Sequence, residues 1–121
     1  IWVDVAHNKL GFKVLLEWII KKNMKNYNMI LALGIKKDYI NILKEIKKVK
    51  PKSLCLISST NFQKHNPVKI KNVALKLGMR PLIFKSVFEA LDFLKESKGK
   101  NKQVIITGSI GLVGSFMSKI R

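Results

Sequence analysis

The sequence predicts an α/β domain built on a single doubly wound, mostly parallel sheet with helices on both faces. Two observations carry this. Apolar runs of strand length alternate five times with segments whose apolar residues recur at helical spacing, and no repeat or linker interrupts them. Such βα alternation buries each strand between helices and favours right-handed crossovers. Size is the third observation: 121 residues, 47% of them hydrophobic, suffice for one domain with a real core. They exclude a disordered basic tail and a multi-domain machine.

The elements follow in order. Ile1–Asp4 reads as a short strand, followed by a polar turn and a largely apolar segment from Leu10 to Ile20 that ends in Lys21-Lys22-Asn23. Asn28–Leu33 is a second strand, too short for a helix and closed by Gly34. Asp38 suits an N-cap, and Tyr39, Ile42, Leu43, Ile46 and Val49 fall on one helical face until Pro51 stops it. Ser53–Ser59 is the third strand and residues 60–66 a loop. Pro67 fits the first turn of a helix with the stripe Ile70, Val73, Ala74 and Leu77 and with Gly78 as C-cap. Pro81–Phe84 is the fourth strand, and Ser86 caps a helix carrying Val87, Ala90, Leu91 and Leu94. After a solvated loop, Ser97–Lys102, the fifth strand is Gln103–Thr107. Gly108-Ser109 then turns the chain into a last helix with Leu112, Val113, Phe116, Met117 and Ile120.

A formal charge of +17 on so small a domain invites a nucleic-acid or membrane reading. Two details weaken it: 22 of the 24 basic residues are Lys, with Arg only at positions 80 and 121, and the lysines spread over every helix and most loops. Base and phosphate recognition favours the planar fork of Arg. Most aromatic residues (Trp18, Phe84, Phe88, Phe93, Phe116) lie in or beside apolar segments, so a Lys-rich solvated surface is the plainer reading. The longest uncharged stretch, Gln103 to Ser118, has 16 residues and is broken by glycines and serines, short of the ~20 a membrane-spanning helix needs. No membrane partner and no specific nucleic acid are expected. The lone Cys55, within Ser53-Leu54-Cys55-Leu56-Ile57, reads as a buried inert thiol in a reducing compartment, hence the cytoplasm.

In open sheets of this kind ligands bind beyond the carboxyl ends of the strands. The places to search are Asp4–Asn8, Gly34–Asp38, Ser58–His65, Lys85–Ser86 and Thr107–Gly111. In the first, a carboxylate ending an apolar strand and a His three residues later can grip a ribose hydroxyl and hydrogen-bond a phosphate or activated acyl group. The plainer alternative has Asp4 capping the first helix and His7 as an ordinary turn residue. Lys36 and Lys37 follow the second strand, where a Lys can meet a phosphate or carboxylate as a point charge. In Thr107-Gly108-Ser109-Ile110-Gly111-Leu112-Val113-Gly114, small residues leave backbone N–H groups free to face an anion, and Ser109 adds a hydroxyl. The G-x-x-G-x-x-G spacing differs from the dinucleotide fingerprint. No G-x-x-x-x-G-K-[ST] phosphate loop, metal-ligand spacing or Ser-His-Asp set occurs.

Asp4-Val5-Ala6-His7-Asn8, Leu33-Gly34-Ile35-Lys36-Lys37-Asp38 and Ile106-Thr107-Gly108-Ser109-Ile110-Gly111-Leu112-Val113-Gly114 together resemble, in order and spacing, one family over essentially the whole chain. It is the C-terminal domain of folylpolyglutamate synthase/dihydrofolate synthase, in the Mur ligase superfamily, a Rossmann-like fold. The D-[GV]-A-H-N motif is the most specific, followed by T-G-S-x-x-x-V-G. Lys36 stands where the family has an acid, Gly111 where it often has Tyr, and the loop from Thr60 to Pro67 offers Lys64 and His65 instead of Arg.

The resemblance implies one lobe, residues 1–121, of an ATP-dependent, ADP-forming ligase that adds L-glutamate to dihydropteroate and/or folate through an acyl phosphate. It implies that the phosphate loop and most of the Mg2+ site belong to a central ATPase domain N-terminal to these residues in the same protein. A chain that opens on Ile1 inside a strand is then a fragment, inactive alone. Carried over by motif, Asp4 contacts the ribose or adenine of ATP, His7 serves the terminal phosphate or acyl phosphate as the catalytic residue, and Asn8 supports the turn. Lys37 and Ser109 are candidates for the glutamate side. The rival readings are a ligase adding an amino acid to a cell-wall precursor, within the superfamily, and a basic α/β nucleic-acid-binding module.

Overall fold

The computed structural model describes residues 2–3, 9–25, 27–32, 39–57, 67–96 and 103–108. Within them the strands are β1 (Trp2–Val3), β2 (Tyr27–Ala32), β3 (Ser53–Ile57), β4 (Leu82–Phe84) and β5 (Gln103–Gly108). The helices are α1 (Lys9–Lys21), α2 (Tyr39–Val49), α3 (Pro67–Lys76) and α4 (Val87–Glu96). One five-stranded sheet has the order β1-β5-β2-β3-β4, and each of its pairings is parallel. The expected α/β alternation and parallel sheet are therefore present. The Asp38 cap, the loop at residues 60–66 and the last helix from Leu112 to Ile120 lie outside the described residues.

Three strand ends differ from the sequence reading: β4 begins at Leu82 rather than at Pro81, which has no N–H to give to a ladder, and pairing explains the other two. β2 begins at Tyr27, where it meets Gln103, and β5 runs through Gly108, opposite Ala32, rather than turning there. A glycine reads locally as a turn, but its pairing with β2 holds this one in the strand.

The strand residues divide by alternation. Tyr27, Met29 and Leu31 of β2, Leu54 and Leu56 of β3 and Ile105 of β5 pack with Leu15, Leu16 and Ile19 of α1, Ile42, Leu43 and Ile46 of α2, and Ile70 and Ala74 of α3. On the opposite face Ile30, Cys55, Ile57, Val104 and Ile106 meet Val87, Ala90 and Leu94 of α4. The chain steps from β1 through β2 and β3 to β4 with α1 to α3 on one face, then returns to β5 with α4 on the other. A single crossover hand requires this change of face when the direction of travel reverses.

Helix ends show why the elements stop where they do. Gly78, at φ 86°, closes α3 with Gly78 N–H donating to the Leu75 carbonyl and Met79 N–H to that of Ala74, the paired bonds of a Schellman cap. Asn23, at φ 50°, closes α1 in the same way through the carbonyls of Ile20 and Ile19. At α2 the left-handed residue is Lys50, φ 46°, and the following Pro51 has no N–H to supply the second bond. Ser86 caps α4: its Oγ accepts from Glu89 N–H at 3.1 Å, while Glu89 Oε2 accepts from Lys85 N–H at 3.0 Å.

Candidate functional site at the carboxyl edge of the sheet

In a parallel sheet all strands end at the same edge, and strand order decides which ends are neighbours. Here β5 enters between β1 and β2, so Val3 lies opposite Ile106 and Ala32 opposite Gly108. Three strand ends far apart in sequence become adjacent, at the place where the order of connection reverses. The next residues along the chain are Asp4 after β1, Leu33-Gly34 after β2 and Ser109 after β5. The motif segments thus leave the sheet from one continuous stretch of edge. Asp4, His7, Asn8, Lys37 and Ser109 themselves lie outside the described residues.

The end of β4 is described, and its polar groups are engaged in capping. Ser86 Oγ and the Glu89 carboxylate both serve the start of α4, and only the exposed Lys85 side chain projects from this turn. Lys85–Ser86, one of the five places singled out in the sequence, therefore has a structural role. The end of β3 continues into residues 58–66, outside the described residues, as does His65.

One polar group at this edge carried no role in the sequence reading. Thr107 is fully buried beside Leu31, and its Oγ1 has no hydrogen-bond partner, alone among buried side-chain polar atoms of the described residues. A buried hydroxyl without a partner costs about 1–3 kcal/mol. The signal in the sequence is slight: one hydroxyl closing the apolar run Val104-Ile105-Ile106.

The remaining titratable groups of the core are inert. Cys55 is fully buried, and burial pushes its thiol up to about 11, as its apolar setting in the sequence suggests. Burial likewise pushes the Tyr27 phenol up to about 12, and its Oη donates to the Val49 carbonyl at 2.6 Å. Among the described residues no three His, Cys, Asp or Glu side chains gather as a metal site. Among them, too, no helix is long and apolar enough to cross a membrane.

An all-parallel sheet with the ends of β1, β5 and β2 gathered at the switch point defines an open α/β fold, a class in which ligands bind beyond the strand ends. No family model matches the sequence, and no curated protein matches it. Among solved structures, the fold matches folylpolyglutamate synthase of Thermotoga maritima with a TM-score of 0.71 at 18% identity, covering 98% of this chain and 27% of that one. It matches the Mycobacterium tuberculosis folylpolyglutamate synthase complexed with ADP and AMPPCP with a TM-score of 0.78 at 19% identity, covering 97% of this chain and 29% of that one. Escherichia coli FolC in complex with DHPP and ADP gives 0.69 at 22% identity, covering 98% and 28%. The chain has the fold of one segment of these enzymes and spans under a third of their length.

Proposed function

We propose that the chain is the C-terminal lobe of an ATP-dependent amide ligase of the folylpolyglutamate synthase/dihydrofolate synthase kind. The observation that carries this reading is the adjacency of β1, β5 and β2, which brings to one edge the three segments that resemble that family. The low-identity fold match supports it, since relatives of the same fold are complexed with ADP, AMPPCP and DHPP.

In this reading a folate-type carboxylate attacks the terminal phosphate of ATP, giving an acyl phosphate and ADP. The amine of L-glutamate then attacks the acyl carbon, the amide bond forms, and phosphate leaves. Asp4 accepts hydrogen bonds from the ribose or adenine and orients the nucleotide. His7 faces the transferred phosphoryl group, where a hydrogen bond strengthens as charge builds on its oxygens. Asn8 holds the turn between them, and Lys37 and Ser109 meet the carboxylates of glutamate. Closure of this lobe aligns amine and acyl phosphate and excludes the water that would hydrolyse the intermediate.

As the resemblance implies, the metal and the phosphate loop are assigned to a central domain, and no step here passes through them. The test is phosphate release by the intact protein, dependent on ATP, glutamate and dihydropteroate or folate together. Asp4→Ala raises the KM for ATP at least several-fold in that assay; unchanged ATP kinetics remove Asp4 from the site. Release that requires a nucleotide-linked cell-wall precursor instead of a pterin selects the rival branch of the superfamily.

A further inference from the structure

At the opposite edge of the sheet, where β3 and β4 begin, an open cleft of about 390 Å³ lies between the carboxyl ends of α2 and α3. That is the size of a small-ligand pocket rather than of a macromolecular track. Lys47, Lys50, Lys52 and Arg80 line it, over a floor that includes Leu54 and Met79, and among the described residues no acidic one is in its walls. The ion pair at the end of α2 joins Lys48 to Glu45 at 3.0 Å, so it leaves the neighbouring Lys47 to the cleft.

The plain explanation for cations here is the helix dipole, and its magnitude can be compared. Each helix carboxyl end carries roughly half a negative charge, so α2 and α3 together offset about one unit. Four cationic side chains leave about three uncompensated. The backbone that carries two of them is held in place: Lys52 N–H donates to the Tyr27 carbonyl at 2.7 Å, and Tyr27 Oη donates to the Val49 carbonyl at 2.6 Å. Both clasps tie the Lys50–Lys52 turn to the core. Lys50 takes the left-handed position that Gly78 and Asn23 take at the other described helix ends, a conformation disfavoured for a Lys by about 1 kcal/mol. Arg80, one of only two arginines in the chain, adds a planar fork suited to bidentate contact with phosphate or carboxylate.

We infer that this cleft binds a small ligand carrying several closely spaced negative charges, a polyphosphate or a polycarboxylate. A nucleic acid is disfavoured because, among the described residues, no aromatic side chain lines the cleft for a base to stack on. The exposed aromatics Phe88 and Phe93 lie on α4, on the other face of the sheet, among Glu89, Asp92 and Glu96. The site is separate from the edge assigned to the ligase reaction, so its failure leaves that reading intact.

The test is calorimetric titration of the purified protein with inorganic tripolyphosphate and, separately, citrate, at about 0.1 M salt. Binding at any nucleotide site is told apart because it persists in the Lys52→Gln/Arg80→Gln variant. Lys52→Gln/Arg80→Gln binds about tenfold more weakly, whereas Lys13→Gln/Lys69→Gln, which removes equal charge elsewhere, stays within about twofold. Lys50→Gly melts at a higher temperature yet binds at least about threefold more weakly, so its loss of affinity is not a folding defect. Tighter binding of tripolyphosphate assigns a phosphate ligand and tighter binding of citrate a carboxylate one, and either supports the site. Absence of binding, equal weakening in the two double variants, or unchanged affinity in Lys50→Gly overturns it. So does a single-stranded oligonucleotide that binds more tightly than both and weakens equally in both doubles.

Discussion

The two edges of this sheet are made from the same alternation yet present opposite kinds of chemistry. At the carboxyl edge, strand order gathers the ends of β1, β5 and β2, and the segments leaving them carry a carboxylate, an imidazole and small residues. At the amino edge, helices end rather than begin. The last turns of α1, α2, α3 and α4 each contain Lys, as the negative end of a helix favours. The difference teaches that net charge says little about where reactions occur. Much of the described charge is bound up with helix ends, whereas the segments proposed for catalysis follow the strands at which the topology reverses.

The sharpest way to break this comparison is at His7. If the carboxyl edge is the reactive one, His7→Ala lowers kcat by about 100-fold, the usual loss for a group acting on the transferred atoms. The same variant leaves the melting temperature and the tripolyphosphate affinity of the amino-edge cleft unchanged. A kcat within a few-fold of the parent would move the chemistry to another strand end and dissolve the contrast.

A smaller effect is expected at Tyr27, the residue that fastens the amino edge to the core. Tyr27→Phe removes the donor to the Val49 carbonyl and costs about 1–2 kcal/mol in denaturant unfolding. Cleft affinity falls with it, because the Lys50–Lys52 turn loses one of its two clasps, while the KM for ATP stays constant. The phenol also sets a pH signature. Its folded value is about 12 against 10.0 when exposed, so the unfolded chain loses the proton first. Its contribution is complete below pH 10 and is lost as pH rises towards 12. Cys55, about 11 against 9.0, acts in the same sense from pH 9 upward. The check is differential: Tyr27→Phe flattens the fall in stability between pH 10 and 12 relative to the parent. Equal slopes would show that the phenol is not shielded.

What was legible in the sequence was mainly local. Pro51, Gly78 and Ser86 act on their own turns, and their roles in ending or starting helices are those the residues suggest. The division of the strands between two helical layers also follows from alternation once a sheet covered on both faces is assumed. Strand order was not legible, because no local signal places β5 between β1 and β2; that choice depends on packing across a hundred residues. The cleft was hidden for the same reason, since Lys50 and Arg80 are distant in sequence and meet only when α2 and α3 lie side by side. Nor did Lys50 announce a left-handed helix end, a position where Gly or Asn is the usual sign. At the candidate site the motifs identified the strand ends to watch, and the sheet brought those ends together. The roles of Asp4, His7, Asn8, Lys37 and Ser109 rest on resemblance and on that adjacency.

Thr107 offers the finest discrimination between the edges, because stability and function should respond with opposite sign. Its hydroxyl is buried without a partner, so Thr107→Val exchanges an unsatisfied donor for a methyl group of similar shape. Were the residue only a packing element, the variant would gain up to about 1 kcal/mol and leave the kinetics untouched. Thr107 is, however, the penultimate residue of β5, paired with Leu31 and one step before the glycine that meets Ala32 at the end of β2. A hydroxyl kept unsatisfied at that point is a cost the fold tolerates, and a partner gained on ligand binding would offset it. The expected result is therefore split: higher stability in denaturant unfolding, together with a KM for ATP raised by about two- to fivefold. Because the side chain is fully buried, such a change in KM would come through positioning and not through a contact with the nucleotide. Thr107→Ser, which restores the hydroxyl, should return the KM towards the parent value without restoring the lost methyl packing. A KM that tracks stability instead, improving in Val and worsening in Ser, would make Thr107 a core residue and confine the functional edge to the segments beyond the strands.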